Sequence, residues 1–320
     1  VLFTYNLMEV TVMRKKLSIL LSAVLLISLL SACGSSYNNS ASSSKSASSV
    51  KNEQKTEPSI SQINLDVGVV TIYDYGNLKL HAYATNDSLG DEVYILENND
   101  ALVGIELPSF TDSLNAWQTY ILELDKPMND IFLCSHATGA SYIKDMNVYG
   151  TQGAKNAIEN GSTFATTQGL FETFGDDFHG GSDMAQINNI VSGTITVAGI
   201  KFNVIDYGDT YDLEIPELNV IYTHMLGKTS HSILTSVEHM NSMLEILKGY
   251  QNAGYDMILS AHSSPEGQDA LTEKILYIEK AMELAEISEN SKDFITAMKE
   301  NFPSYTGENY LEMSASYLYQ

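Results

Sequence analysis

Phe132-Leu133-Cys134-Ser135-His136-Ala137-Thr138-Gly139-Ala140 is an apolar run that reaches a histidine and then breaks on small residues. A short run of this kind, closed by a turn signal, reads as a buried strand whose last side chain leaves the sheet at its end. Two later stretches repeat the figure: Val220-Ile221-Tyr222-Thr223-His224, and Met257-Ile258-Leu259-Ser260-Ala261-His262-Ser263-Ser264-Pro265. Core strands whose tips share one hollow would bring these histidines together, so the fold is read outward from them.

Upstream of the first histidine, residues 67–75, 78–84, 92–97 and 101–107 predict short strands separated by Tyr75-Gly76-Asn77 and Glu97-Asn98-Asn99-Asp100 turns, an antiparallel meander. A helix over 113–124 follows, with Leu114, Trp117, Tyr120, Ile121 and Leu124 on one face, and then a buried strand over 130–135. Past that strand the pattern predicts helices over 152–159 and 166–174, strands over 190–197 and 200–206 about an Ala198-Gly199 turn, and a strand over 218–223. A helix over 231–253, with Leu234, Val237, Met240, Leu244 and Leu247 as its core face, a strand over 256–260 and a helix over 268–287 complete the order. Two half-domains of strands and mixed units imply an α/β fold with two sheets face to face and helices outside, a four-layer αββα sandwich. Residues 60–290 form this domain, and 291–320 read as a helical C-terminal extension.

The N-terminal part carries an address. Met13-Arg14-Lys15-Lys16 precedes an uncharged apolar run to Ala32, and Leu30-Ser31-Ala32-Cys33-Gly34 resembles a bacterial lipobox. Residues 1–33 are therefore expected to be a lipoprotein signal peptide, with residues 1–12 ahead of the true start and the Cys33 thiol receiving a diacylglycerol. Residues 34–59, rich in Ser and Asn, offer almost nothing apolar to offset their ordering entropy and read as a tether. The expected location is extracytoplasmic, with the membrane met through the lipid anchor only. With 17 Lys+Arg against 40 Asp+Glu, the net charge of -23 disfavours nucleic acid, whose binding depends on basic side chains displacing counterions. Two cysteines, Cys33 and Cys134, allow no disulfide framework. No Gly-x-Ser-x-Gly elbow, His-Glu-x-x-His helix, phosphate loop or EF-hand loop occurs.

The order and spacing of the three histidine-bearing strand ends resemble the metallo-β-lactamase superfamily, over about residues 65–283. That resemblance implies a cleft in which a Ser/Thr-His-x-His-x-Asp-His strand end, a hairpin His, a bridging Asp and a final His hold two zinc ions. Here His136 takes the first position, but Thr138, Ala140 and Ser141 stand at the positions of the second His, the Asp and the third His. Asp209, in Tyr207-Gly208-Asp209-Thr210, takes the place of the hairpin His, His224 that of the bridging Asp, and His262 is the final His. Three imidazoles and a carboxylate are a legitimate zinc set. The resemblance thus implies a largely lost two-metal site, with one zinc or other divalent ion, or none. In the enzyme reading, His136, Asp209 and His224 hold the ion, with His262 as a further ligand or proton donor, and the substrate is an ester, thioester or lactone. The alternative is a non-catalytic cleft for an unidentified small molecule or partner.

Other residues invite chemistry. Phe174-Gly175-Asp176-Asp177-Phe178-His179-Gly180-Gly181-Ser182-Asp183 concentrates carboxylates, aromatics and glycines, so Asp176, Asp177 and His179 are candidates for a cleft or substrate loop, the bland reading being a surface loop. His231 is either a substrate-side residue or a polar residue at a helix start. Cys134 and His136, two apart on one strand, suggest a thiol–imidazole pair or simply a packed Cys beside a cleft His. His81 reads as an exposed strand residue and His239 as helix surface.

Overall fold

The computed structural model describes residues 57–319. Residues 1–33, with the Cys33 lipidation site, and 34–56 of the tether lie outside the described residues. The first sheet has eight strands in sequence order: β1 (Ser59–Asn64), β2 (Val69–Asp74), β3 (Lys79–Ala84), β4 (Glu92–Glu97), β5 (Leu102–Ile105), β6 (Met128–Phe132), β7 (Asn147–Gly150) and β8 (Asn189–Ile190). Strands β1 to β5 pair antiparallel, whereas β5 to β8 pair parallel. Parallel neighbours need crossovers: α1 (Thr111–Glu123) joins β5 to β6, residues 133–146 join β6 to β7 without an α-helix, and α2 (Gln152–Asn160) with α3 (Ser162–Phe174) joins β7 to β8. The hairpin register of β2 and β3 is set at Tyr75-Gly76-Asn77, where Gly76 has φ 92° and donates its N–H to Asp74 Oδ1 at 2.7 Å.

The second sheet has six strands in the order β14-β13-β12-β11-β10-β9. They are β9 (Gly193–Val197), β10 (Ile200–Asp206), β11 (Tyr211–Ile215), β12 (Val220–Thr223), β13 (Met257–Ser260) and β14 (Ser263–Glu266). The β12–β13 pair is parallel and is crossed by α4 (Val237–Ala253). Three more helices follow: α5 (Gln268–Ile287), α6 (Ser291–Asn301) and α7 (Glu308–Leu318).

Strand alternation sorts the core into two layers. Tyr222 and Leu259 point into the cluster between the sheets, where the Phe132 and Phe202 rings meet at 4.7 Å, while their neighbours Ile221 and Ile258 point to the helices. That second cluster gathers Met240, Leu244 and Leu247 of α4 with Ile275 and Ile278 of α5, and the C-terminal helices add Phe294, Met298 and Leu311. On the far side of the first sheet, α1 buries Leu114, Trp117 and Tyr120. Each such side chain contributes about 1.5–3 kcal/mol when fully buried. The expected helix–sheet–sheet–helix order is therefore the observed one. The predicted 231–253 helix begins later, because Ser236 is its N-cap: the Ser236 hydroxyl accepts from His239 N at 3.1 Å.

Candidate metal centre

His136, His224 and His262 come together at one end of the two sheets, and their ligating atoms all lie within 4.8 Å of one another. Ring centroids are 5.4 Å apart for His136–His224 and 5.0 Å for each pair with His262. Among the described residues, this is the one group of three or more His, Cys, Asp or Glu side chains placed to hold a metal ion.

Each histidine is fixed through its main chain. Leaving β6, the chain passes over Glu106, whose carboxylate accepts from Ser135 N at 2.8 Å, from His136 N at 3.0 Å and from the Tyr222 hydroxyl at 2.9 Å. Glu106 is wholly buried just after β5, with φ 61°, a left-handed conformation that a side-chain-bearing residue holds only when its surroundings enforce it. Burial raises its pKa to about 7 despite the bonds that favour the carboxylate. His224 directly follows β12, and its carbonyl accepts from Ala261 N at 3.0 Å and Ser260 Oγ at 3.1 Å. His262 sits in the turn between β13 and β14, where the Ala261 carbonyl in turn accepts from Glu92 N at 2.7 Å. The turn is thereby tied to both sheets.

The donor set fits a divalent cation. His136 Nε2 and His262 Nε2 are 3.4 Å apart. With zinc–nitrogen bonds of about 2.0–2.1 Å, the edge of a tetrahedral site is about 3.3–3.4 Å. The Nδ1 atoms of all three rings are buried without a hydrogen-bond partner. Burial, reinforced by the His262 ring, pushes His136 down to about 3, and burial with both neighbouring rings drives His224 well below its usual range. These two imidazoles are neutral at neutral pH, the form that binds metal. Behind His262 lies Asp91, 1% exposed, with Oδ1 3.5 Å from His262 Nδ1 and neither carboxylate oxygen hydrogen-bonded. Sequence reasoning missed both Glu106 and Asp91; the only signal was a carboxylate abutting each end of an apolar strand pair.

Asp209 does not join the histidines. The β10–β11 turn that carries it lies so close to the start of α2 that a Cβ on Gly153 would fall 1.9 Å from the Gly208 carbonyl oxygen. In this position the exposed Asp209 carboxylate accepts from Ser162 Oγ at 3.1 Å, and its neighbour Thr210 is the residue that reaches the His136 strand end, 3.2 Å from Ser135 Oγ. The expected four-residue set is thus three imidazoles. The hydroxyls at two lost template positions are engaged elsewhere, Thr138 on the Pro108 carbonyl and Ser141 on Asp183.

The glycine-rich loop is docked. His179 contacts Asp183 Oδ2 at 2.6 Å and Thr111 Oγ1 at 3.1 Å, and Phe178 packs against Phe110. Asp176 and Asp177 are exposed, and none of the three belongs to the histidine group. His231 is buried instead of facing the cleft: its N–H donates to the Thr306 carbonyl at 2.8 Å, its Nδ1 meets the Tyr277 hydroxyl at 3.1 Å, and its ring lies against Tyr305. Burial, with Lys274 nearby, pushes it down to about 4. Cys134 is packed between the sheets, where burial raises its thiol well above the normal range, so no thiolate pairs with His136. His81 is likewise buried, its ring nitrogens on Tyr120 and Glu97.

A cavity of about 440 Å³ adjoins the histidines, with His262 in its wall. Its other walls include Leu89, Met225 and Leu226, and, from the C-terminal segment, Tyr310 and Met313.

No family model matches this chain, and no curated protein matches it. Solved structures do. The stereoselective inverting sec-alkylsulfatase Pisa1 from Pseudomonas sp. aligns with a TM-score of 0.51 at 15% identity over 79% of this chain, and a double mutant of that enzyme gives 0.53 at 14%. The chain spans half the length of those sulfatases. A metallo-β-lactamase family protein from Thermus thermophilus aligns with a TM-score of 0.52 at 13% identity, over 76% of this chain and 91% of that one. The chain has the metallo-β-lactamase fold.

Proposed function

We propose that the protein is a single-metal hydrolase of ester, thioester or lactone carbonyls, with His136, His224 and His262 holding one zinc or other divalent ion. The observation that carries this reading is the convergence of three imidazoles, each offering a ring nitrogen within 4.8 Å of the others. A divalent ion bound by three protein ligands supplies Lewis acidity and acidifies water at its open position. The remaining roles belong to the chain. Glu106 holds the His136 main chain in register, Asp91 backs the His262 ring, and the Ala261 bonds keep His224 and His262 facing each other. Fixed donors of this kind need no rearrangement when a substrate carbonyl arrives. Two metals are disfavoured because Thr138 and Ser141 already bond within the protein.

A second reading, a non-catalytic cleft for a small molecule, draws support from the lack of any carboxylate within the histidine group. The discriminating measurement is zinc content and thermal stability of protein purified without chelator. One equivalent of zinc is expected, with a rise in Tm of about 5–10 °C at a hundredfold excess over Kd, abolished by His136→Ala. Less than about a tenth of an equivalent, with no shift, would remove the metal and the hydrolase reading together. If zinc binds but no neutral carboxylic ester turns over, the binding reading takes its place.

The same reading places the protein outside the cytoplasm on a lipid attached to Cys33, supported by the basic start, the apolar run and the Leu30-Ser31-Ala32-Cys33 register. Cys33→Ala should move the chain from the membrane fraction to the soluble one; unchanged fractionation would contradict it.

A further inference from the structure

We propose that the cavity beside His262 is the substrate's binding pocket and that it selects an uncharged substrate with an apolar arm, the C-terminal segment forming the selecting wall; this rests on the hydrolase reading for its chemistry. The cavity opens on His262, so a group seated in it lies next to the histidine group, and its volume of about 440 Å³ falls in the range of small-molecule sites.

Its lining decides the class of ligand. Leu89, Met225, Leu226, Tyr310 and Met313 give apolar surface, interspersed with the uncharged polar Ser88, Ser230, Thr306 and Asn309, and none of the lining side chains is a Lys, Arg, Asp or Glu. Away from an ion on the histidines, a sulfate, phosphate or carboxylate would find hydroxyl and amide partners there but no Lys or Arg to balance its charge, so desolvating it stays costly. The nearby cations are engaged elsewhere. Lys228 pairs with Asp269 at 2.6 Å, Lys299 pairs with Glu308 at 2.7 Å, and Lys274 is buried on the Ser230 carbonyl and the Ser232 hydroxyl. An anionic group on the substrate's arm is therefore unpaired, whereas a neutral acyl or alkyl chain gains its burial energy. The two methionines suit chains of differing length, because their side chains repack at low cost.

The wall is held firmly. Ser230 bridges Thr306, the Thr306 N–H donates to the Thr229 carbonyl at 3.0 Å, and Ser314 Oγ donates to the Ser232 carbonyl at 2.8 Å while accepting from Leu234 N at 2.8 Å. His231 belongs to this anchor through its bond to Thr306. The C-terminal extension thus completes a pocket that the two sheets leave open.

The test uses the full chain, with and without one equivalent of zinc, and the neutral fluorescent probe N-phenyl-1-naphthylamine. The probe should bind in both states, and in the zinc-free state, where no cation faces the pocket, methyl octanoate should displace it at least tenfold more effectively than octyl sulfate, both kept below micellar concentration. Met313→Trp should weaken probe binding at least tenfold and leave zinc affinity within twofold, and Leu89→Trp on the opposite wall should do the same if the first variant folds poorly. Equal displacement by octyl sulfate, or wild-type probe binding in a folded Trp variant, overturns the proposal. Probe results as expected in a chain that takes up no zinc uphold the pocket and sink only the hydrolase reading. Zinc uptake without selective displacement does the reverse.

Discussion

Asp91 and Glu106 are the side chains on which the histidine group leans, and they act in different ways. Glu106 makes three hydrogen bonds, two of them to backbone N–H groups of the His136 strand end, whereas Asp91 lies buried behind His262 with Oδ1 3.5 Å from its Nδ1. Asp91→Asn should therefore keep the fold and lower zinc affinity about 10- to 100-fold, measured by calorimetric titration against wild type. An unchanged affinity would assign Asp91 to packing alone. At this scale the sequence was legible where chemistry and strand ends coincide: His136, His224 and His262 were each placed by an apolar run that stops on an imidazole. Asp209 was misplaced because one residue of register in a hairpin turn decides which side chain reaches the site, and that register depends on the contact between Gly208 and α2. His81 was read as exposed because alternation along β3 does not reveal that α1 covers its outer face.

Among elements, the strands with continuous apolar character and the long amphipathic helices were readable, whereas β1, β7, β11 and β14 were not. β11 reads Tyr-Asp-Leu-Glu-Ile, with acidic residues depleted in strands, and β14 reads Ser-Ser-Pro-Glu with no strand-forming residue. Tertiary contacts hold both. Asp212 of β11 is buried and accepts a short hydrogen bond from the Tyr250 hydroxyl of α4, and Ser263 of β14 pairs with Ser260 of β13. The start of α4 shows the converse, since apolar spacing extends back to Leu234 but the Ser236 cap sets the boundary. Ser236→Ala should cost about 1 kcal/mol in urea unfolding, with the m-value unchanged. A loss below about 0.3 kcal/mol would show that tertiary packing, not the cap, sets this helix start.

For the molecule as a whole, two buried groups make stability depend on pH in opposite directions. The Asp212 carboxyl is raised by burial to about 7, so the folded state binds the extra proton between roughly pH 4 and 7, and stability falls as pH rises through that window. Lys274 is lowered by burial to about 7, so the unfolded state binds the extra proton between roughly pH 7 and 10.5, and stability rises there. Below pH 7 the fall from Asp212 and Glu106 is opposed by His136 and His231, whose lowered pKa values make stability rise with pH up to about 6.5, so the rise above pH 7 from Lys274 is the clearest signature. Lys274→Met should stabilise the protein by about 1–4 kcal/mol at pH 7 and abolish the rise on the alkaline side, read from denaturation midpoints at pH 6, 7.5 and 9. A variant no more stable than wild type at pH 7 would mean that the Ser230 and Ser232 bonds fully compensate the buried ammonium.

The histidines are shared unequally between the two sheets: His136 leaves β6 of one, and His224 and His262 leave β12 and β13 of the other. Neither half alone offers more than two imidazoles. A cation held by all three imidazoles would then require both halves to have docked, and such an ion would work as a clasp across the seam. For a chain read as maturing beyond the cytoplasm, the arrival of that ion would mark the finished product.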